Sequence, residues 1–211
     1  MCRLLAVKSE EEFSITHYLE TFAETCRKNS EYQGHGWGCA FLQDNKWKLH
    51  KEIKPIWESD FSSFKKTKLL IAHARSAFRN EGIKIENNMP FFDNELVFIF
   101  NGELRGVKIK EKGRIGAEKI FNIIKKFNNK NLLENISSTI NLLETNSDYI
   151  KAINLIISDK EKIYISSFFN EMPEYFTMHF LSDKNIKIIC SDPIFEGAWK
   201  KIDNKNVMEI Q

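Results

Sequence analysis

The chain has 211 residues, with 31 Lys and Arg against 29 Asp and Glu, a formal net charge of +2. No dense basic tract stands out, which argues against nucleic acid as a partner. Hydrophobic residues at 42% and aromatics at 12%, with 17 Phe among them, exclude a disordered chain.

The apolar runs reach only about four to six residues, far short of the ~20 of a membrane helix. Met-Cys-Arg-Leu-Leu-Ala-Val gives way at once to Lys8, Ser9 and Glu10, without the apolar stretch and cleavage site of a secretory signal. A cytoplasmic protein without membrane contact is expected, and at roughly 150 residues per domain the length fits one domain over 1–211. Cys2, Cys26, Cys39 and Cys190 are scattered, with no C-x-x-C pair. Reduced thiols are expected, with no metal site and no disulfide framework.

Residues 3 to 7 read as a short apolar strand with Cys2 at its start. Residues 17 to 29 carry Leu19, Phe22, Ala23 and Cys26 at helical spacing and end at Asn29-Ser30. After the glycine-punctuated Gly34-His35-Gly36-Trp37-Gly38, the strand Cys39 to Leu42 turns at Asp44-Asn45 into Trp47 to His50, a hairpin. Residues 68 to 74 form a nearly continuous apolar run, the mark of a strand buried on both faces, with Arg75 at its end.

A polar loop from Arg79 to Asn88 leads to Met89-Pro90-Phe91-Phe92, and Glu95 to Phe100 forms another apolar strand that ends in Asn101-Gly102. Two helices are expected within 117 to 145, the first with Ile120, Phe121, Ile124 and Phe127 on one face, the second with Leu132, Leu133, Ile136, Ile140 and Leu143. Short strands follow near 151 to 157, 162 to 168, 175 to 181, 186 to 190 and 206 to 210. Strands, then two adjacent helices, then more strands predict an α+β layered domain with helices packed on antiparallel sheets. No G-x-G-x-x-G precedes a helix and no P-loop is present, which removes the usual nucleotide sites.

Three features carry chemistry. Removal of Met1 would put a thiol and a free α-amine on Cys2, and an α-amine of pKa about 7.7 to 8.0 is able to take the thiol proton near neutrality. Position alone favours the plainer reading, a small buried thiol that opens a strand. Asn101-Gly102 reads equally as an oxyanion hole, with the Asn amide and the Gly backbone N–H as donors, or as a type I′ turn joining strands 95 to 100 and 103 to 109. Arg75 suits a bidentate grip on a carboxylate, or a structural acid at a strand end.

In combination, Met1-Cys2-Arg3-Leu4-Leu5, Gly36-Trp37-Gly38, Ala72-His73-Ala74-Arg75, Asn87-Asn88-Met89-Pro90-Phe91 and Phe100-Asn101-Gly102-Glu103-Leu104 resemble, in order and spacing, the class II glutamine amidotransferase (glutaminase) domain. Asn154 to Asp159 is similar to that family's Asn-hydrophobic-Ser-Asp-Gly segment. Cys190-Ser191-Asp192-Pro193 with Trp199 is similar to its Ser-Glu-Pro segment and following Trp.

The resemblance implies a four-layer αββα N-terminal-nucleophile hydrolase fold, two antiparallel sheets between helix layers. It implies Cys2 as nucleophile, Asn101 and Gly102 as oxyanion hole, and Arg75, with Ser76 beside it, in the substrate-binding set for the glutamine α-carboxylate. The substrate is then a small amide, glutamine first, with ammonia released through a γ-glutamyl thioester or passed to an accepting partner subunit. No metal or organic cofactor is implied.

The chain departs from the family pattern at His35, Phe78, Met89 and Phe100, each standing where a polar residue of another kind is usual. The acid that binds the substrate α-amine aligns with Gly116, two residues before Glu118. These departures point to a shifted substrate, a different γ-glutamyl-like or small amide, with Glu118 or Glu111 as substitute acids. A non-catalytic binding member of the family is the remaining alternative.

Overall fold

The computed structural model describes residues 1–127 and 131–211. The elements run β1 (Arg3–Ser14), α1 (Ile15–Lys28), β2 (Trp37–Gln43), β3 (Lys46–Glu52), β4 (Lys66–Ala74), β5 (Phe91–Phe92), β6 (Val97–Arg105), α2 (Gly116–Lys126) and α3 (Leu132–Thr145). There follow β7 (Tyr149–Ser158), β8 (Ile163–Ser167), α4 (Pro173–Phe176), β9 (His179–Asp183), β10 (Ile186–Cys190), β11 (Lys200–Lys201) and β12 (Asn206–Ile210).

The strands form two sheets, ordered β11-β9-β10-β1-β4-β2-β3 and β12-β8-β7-β6-β5, with antiparallel pairing between neighbours. Alternation along the central strands of the larger sheet sends Leu4, Ala6, Leu69 and Ile71 into the space between the sheets, where they meet Val97, Ile99 and Ile153. The intervening Leu5, Val7, Leu70 and Ala72 pack against Leu19, Phe22 and Cys26 of α1. The amphipathic α2 and α3 cover the far side of the smaller sheet, where the Phe98 and Phe121 rings stack at 5.1 Å between centroids. The layers are therefore helix, sheet, sheet, helix.

Local chemistry sets several boundaries. The Ser14 side chain accepts from the His17 backbone N–H to cap α1. Asp44 and Asn45 hold φ of 50° and 57° to turn β2 into β3, as a tight hairpin requires.

Three expectations change. β1 does not stop at residue 7 but runs to Ser14, with a register irregularity between Lys8 and Phe13, because its charged second half extends beyond the core while still pairing with β4. Residues 175 to 181 are not one strand. Pro173 starts a helical turn, α4, and the strand begins only at His179.

The third change is at Asn101-Gly102, where no hairpin forms. β6 runs straight through, with Asn101 opposite Asn154 and Gly102 opposite Ile153 of β7. Long-range pairing along β7 overrides the local turn signal.

Candidate active site

The antiparallel register sets Leu4, His73, Gly38 and Lys51 in one row across four strands. Two residues further along the same strands stand Cys2, Arg75 and Gly36, so the period of two keeps Cys2 and Arg75 on the face that looks toward the smaller sheet. Arg3 consequently points the other way. Its guanidinium donates to the carbonyls of Tyr175 (3.3 Å) and Ser191 (3.1 Å), pairs with Asp192 (3.3 Å) and lies 4.0 Å over the Tyr175 ring. Ser191 Oγ accepts the Leu4 N–H at 2.9 Å. The Ser191-Asp192 segment thus anchors the start of β1.

Cys2 is joined to the second sheet. Its backbone N–H donates to Asn101 Oδ1 at 3.0 Å, and its Sγ lies 3.4 Å from the Ser76 backbone N and 3.6 Å from the Ser76 carbonyl. Ser76 therefore meets the thiol through its backbone. Asn101 is 1% exposed, and its Nδ2 is buried with no hydrogen-bond partner among the described residues. Leaving such a donor unmade costs about 1–3 kcal/mol, so it marks a place that awaits an acceptor. Beside it Gly102 admits no side chain, since a Cβ there would stand 2.0 Å from the Ala152 carbonyl oxygen. Across the strand pair, Asn154 donates to the Phe176 carbonyl (2.6 Å) and accepts the Phe168 N–H (2.9 Å).

Arg75, 6% exposed, donates to Asn88 Oδ1 (3.1 Å) and the Gly82 carbonyl (2.9 Å). A guanidinium has five N–H groups, so three remain for a ligand. Asn88 is fixed by the Glu52 carbonyl at 2.7 Å. Gly36, at φ 112°, leaves room for it, because a Cβ there would lie 2.1 Å from Asn88 Nδ2. His35 Nδ1 accepts the Ala77 N–H at 2.9 Å, which ties the segment after Arg75 to the glycine-rich entry of β2.

Burial pushes the Cys2 thiol pKa up, while the Ser76 N–H, the N-terminal ammonium, Arg75 and Arg3 pull it down. His73, wholly buried, is held neutral: burial, then the Arg75 charge, lower its pKa to about 3. Among the described residues no histidine or carboxylate hydrogen-bonds the thiol. The Met1 ammonium pairs with Glu31 at 3.0 Å, and the Met1 carbonyl accepts from Tyr175 Oη (2.7 Å) and Gln33 Nε2 (3.2 Å). With Met1 in place the Cys2 nitrogen is an amide and not a base. Among the described residues no group of three or more His, Cys, Asp or Glu is arranged to hold a metal ion. No helix there is long and apolar enough to cross a membrane.

Gly116 and Glu118 lie apart from the thiol's contacts, in the first turn of α2. Gly116 faces open space, with nothing within 4 Å of where a Cβ would stand. Glu118 is engaged by the backbone N–H and guanidinium of Arg114, and Glu111 by Lys126. Sequence reasoning misses Gln33, Tyr175 and Glu31 around the N-terminus. No local pattern marks them, because their partner Met1 is 30 to 174 residues away. Asn88 is visible in the sequence only within a motif.

Two antiparallel sheets between helix layers match the N-terminal-nucleophile hydrolase fold. The family model described as class-II glutamine amidotransferases matches residues 1–172, and the chain belongs to that family. Among solved structures it is similar to glutamine phosphoribosylpyrophosphate (PRPP) amidotransferase from B. subtilis, at TM-score 0.65 and 17% identity over 90% of this chain and 42% of that one. It is also similar to a glutamine aminotransferase class-II domain protein from Silicibacter pomeroyi (TM-score 0.69, 14% identity, 99% of this chain and 94% of that one). A predicted glutamine amidotransferase from Pseudomonas aeruginosa gives TM-score 0.58 and 17% identity over 99% and 96%. At these identities the likeness is one of fold, and the chain spans 42% of the length of the B. subtilis enzyme. No curated protein matches.

Proposed function

We propose that the chain is a cysteine-nucleophile amidohydrolase of the glutamine amidotransferase type, active once Met1 is removed. The Cys2 α-amine takes the thiol proton and Sγ attacks the side-chain amide carbon. The oxyanion that forms accepts from Asn101 Nδ2 and the Gly102 N–H. Collapse returns the proton to the departing nitrogen, ammonia leaves, and a thioester remains. Water then cleaves the thioester to a carboxylate and restores the thiol. Arg75 binds the carboxylate at the far end of the substrate through its remaining N–H groups, with the Ser76 backbone beside the thiol. The ammonia is either released or handed to a partner subunit.

The observation that carries this reading is the buried Asn101 Nδ2, unpartnered among the described residues, on the side chain whose Oδ1 accepts the Cys2 backbone N–H. Its test is the intact mass of the purified protein before and after exposure to a diazo-ketone analogue of glutamine. Loss of Met1 and a single adduct mapped to Cys2 are expected. A processed Cys2 that takes no adduct and releases no ammonia from any amide would overturn it.

A second reading, hydrolysis of an amide other than glutamine, is favoured by one observation. The acids of the first turn of α2 and the loop before it, Glu118 and Glu111, are already committed to Arg114 and Lys126.

A further inference from the structure

Lys51 stands on β3 in the row that contains His73, on the same sheet face as Cys2 and Arg75. Its stem runs beside Gly38, where a Cβ would come within 3.0 Å of Lys51 Cγ. Its ammonium lies 5.6 Å from the centroid of the Phe91 ring, and the Arg114 guanidinium lies 5.6 Å from the same ring. His73, between Arg75 and Lys51 in the sheet, feels both positive charges. Lys51 is half-buried, and among the described residues it forms no ion pair. Burial and then Arg114 lower its pKa to about 8, with Glu118 acting in the opposite direction.

Of the acids on this side, Glu118 is engaged by Arg114, Glu52 by Ser59, His50 and Lys54, and Asp93 by Lys125, while the exposed Glu86 acts on Arg114 and forms no ion pair among the described residues. The first turn of α2, open at Gly116, adds the positive end of a helix dipole, and its acid, Glu118, is engaged by Arg114. Lys51 is thus a cation without an ion pair among the described residues, and the carboxylate it feels, Glu118, is engaged by Arg114. An incoming ammonium meets repulsion there, and an incoming anion meets a partly desolvated cation with no partner.

We propose that Lys51 is a specificity-determining residue of the acyl pocket, and that the substrate is an anionic ω-amide of a dicarboxylic acid without an α-ammonium, its anionic end held between Arg75 and Lys51. This rests on the amidohydrolase reading above. The probes are glutaramate, which is glutamine without its α-amine, and L-glutamine, with ammonia release measured on the Met1-processed protein.

The kcat/KM for glutaramate is expected to exceed that for L-glutamine by about tenfold or more. Lys51→Met, which keeps the stem that packs beside Gly38, is expected to reduce that ratio by about tenfold, chiefly through KM for glutaramate, and Lys51→Arg to restore most of it. Lys51→Gln serves as a second variant if the Met variant does not fold. A wild-type preference for L-glutamine, or a ratio unmoved in both neutral variants, overturns the inference. So does alkylation of Cys2 by the diazo-ketone with both amides inert, which leaves the nucleophile standing. A Cys2 that neither alkylates nor turns over either amide overturns the amidohydrolase reading itself.

Discussion

The Cys2 backbone nitrogen and Asn101 Oδ1 lie 3.0 Å apart, and this single hydrogen bond joins the head of β1 in one sheet to the middle of β6 in the other. It also orients the Asn101 amide, because an oxygen turned to the Cys2 N–H commits the Nδ2 hydrogens to the remaining directions. Asn101→Ala is therefore expected to reduce kcat by about 10²–10³ while Cys2 remains alkylatable. Steady-state ammonia release together with adduct mass checks both halves of that expectation.

Gly102 is tested through stability. A methyl group there collides with the Ala152 backbone carbonyl, which cannot swing aside without breaking the β6–β7 ladder. Gly102→Ala is expected to cost about 1–3 kcal/mol or more, read as a lower urea midpoint at unchanged m. Cys2→Ala, in contrast, should leave the unfolding free energy within about 1 kcal/mol and abolish turnover.

His73 makes stability depend on pH. Its folded pKa of about 3 lies below the usual imidazole value of 6.5, so between these values the unfolded chain binds a proton that the folded protein refuses. The His73 contribution is complete above the unfolded pKa and is lost as pH falls from about 6.5 toward 3, amounting to about 2 kcal/mol between pH 7 and pH 5. Urea unfolding at both pH values should show this difference shrinking in His73→Gln. An unchanged slope would mean that His73 is protonated in the folded protein.

Gly116 offers a gain-of-function test. Its Cβ position is open, and a carboxylate in the first turn of α2 is favoured by the helix dipole. Gly116→Asp is expected to raise kcat/KM for L-glutamine by about tenfold at unchanged or slightly higher stability. A variant as poor on L-glutamine as the parent would place the first turn of α2 away from the substrate amine.

Parts of this structure are legible from short stretches of chain. The Asp44-Asn45 hairpin, the amphipathic α1 and the doubly buried β4 each follow from local periodicity or turn chemistry. What decides Asn101-Gly102 is not local: the same dipeptide makes a turn or a strand depending on whether a partner as long as β7 lies alongside. Tyr175 reads as part of a strand because the Pro173 helix start is only four residues long and follows Met172 at φ 53°. The motif residues Ser191, Asp192 and Asn154 stand out in the sequence by resemblance alone. Their physical roles, fixing Leu4, Arg3 and the Phe168–Phe176 region, emerge only when distant strands meet.

The alternation at Cys2 and Arg3 sends neighbouring residues to opposite sides of one sheet, the first toward Asn101 and Ser76 and the second to Tyr175 and Asp192. A single residue inserted between Arg3 and Leu4, with β1 otherwise held against β4 and β10, would exchange these two destinations. It would turn a guanidinium toward Asn101 and the sulfur toward α1. The phase of the first strand is therefore as strict a requirement for the proposed chemistry as the presence of the cysteine, and any insertion or deletion within that strand's opening residues has to come in steps of two.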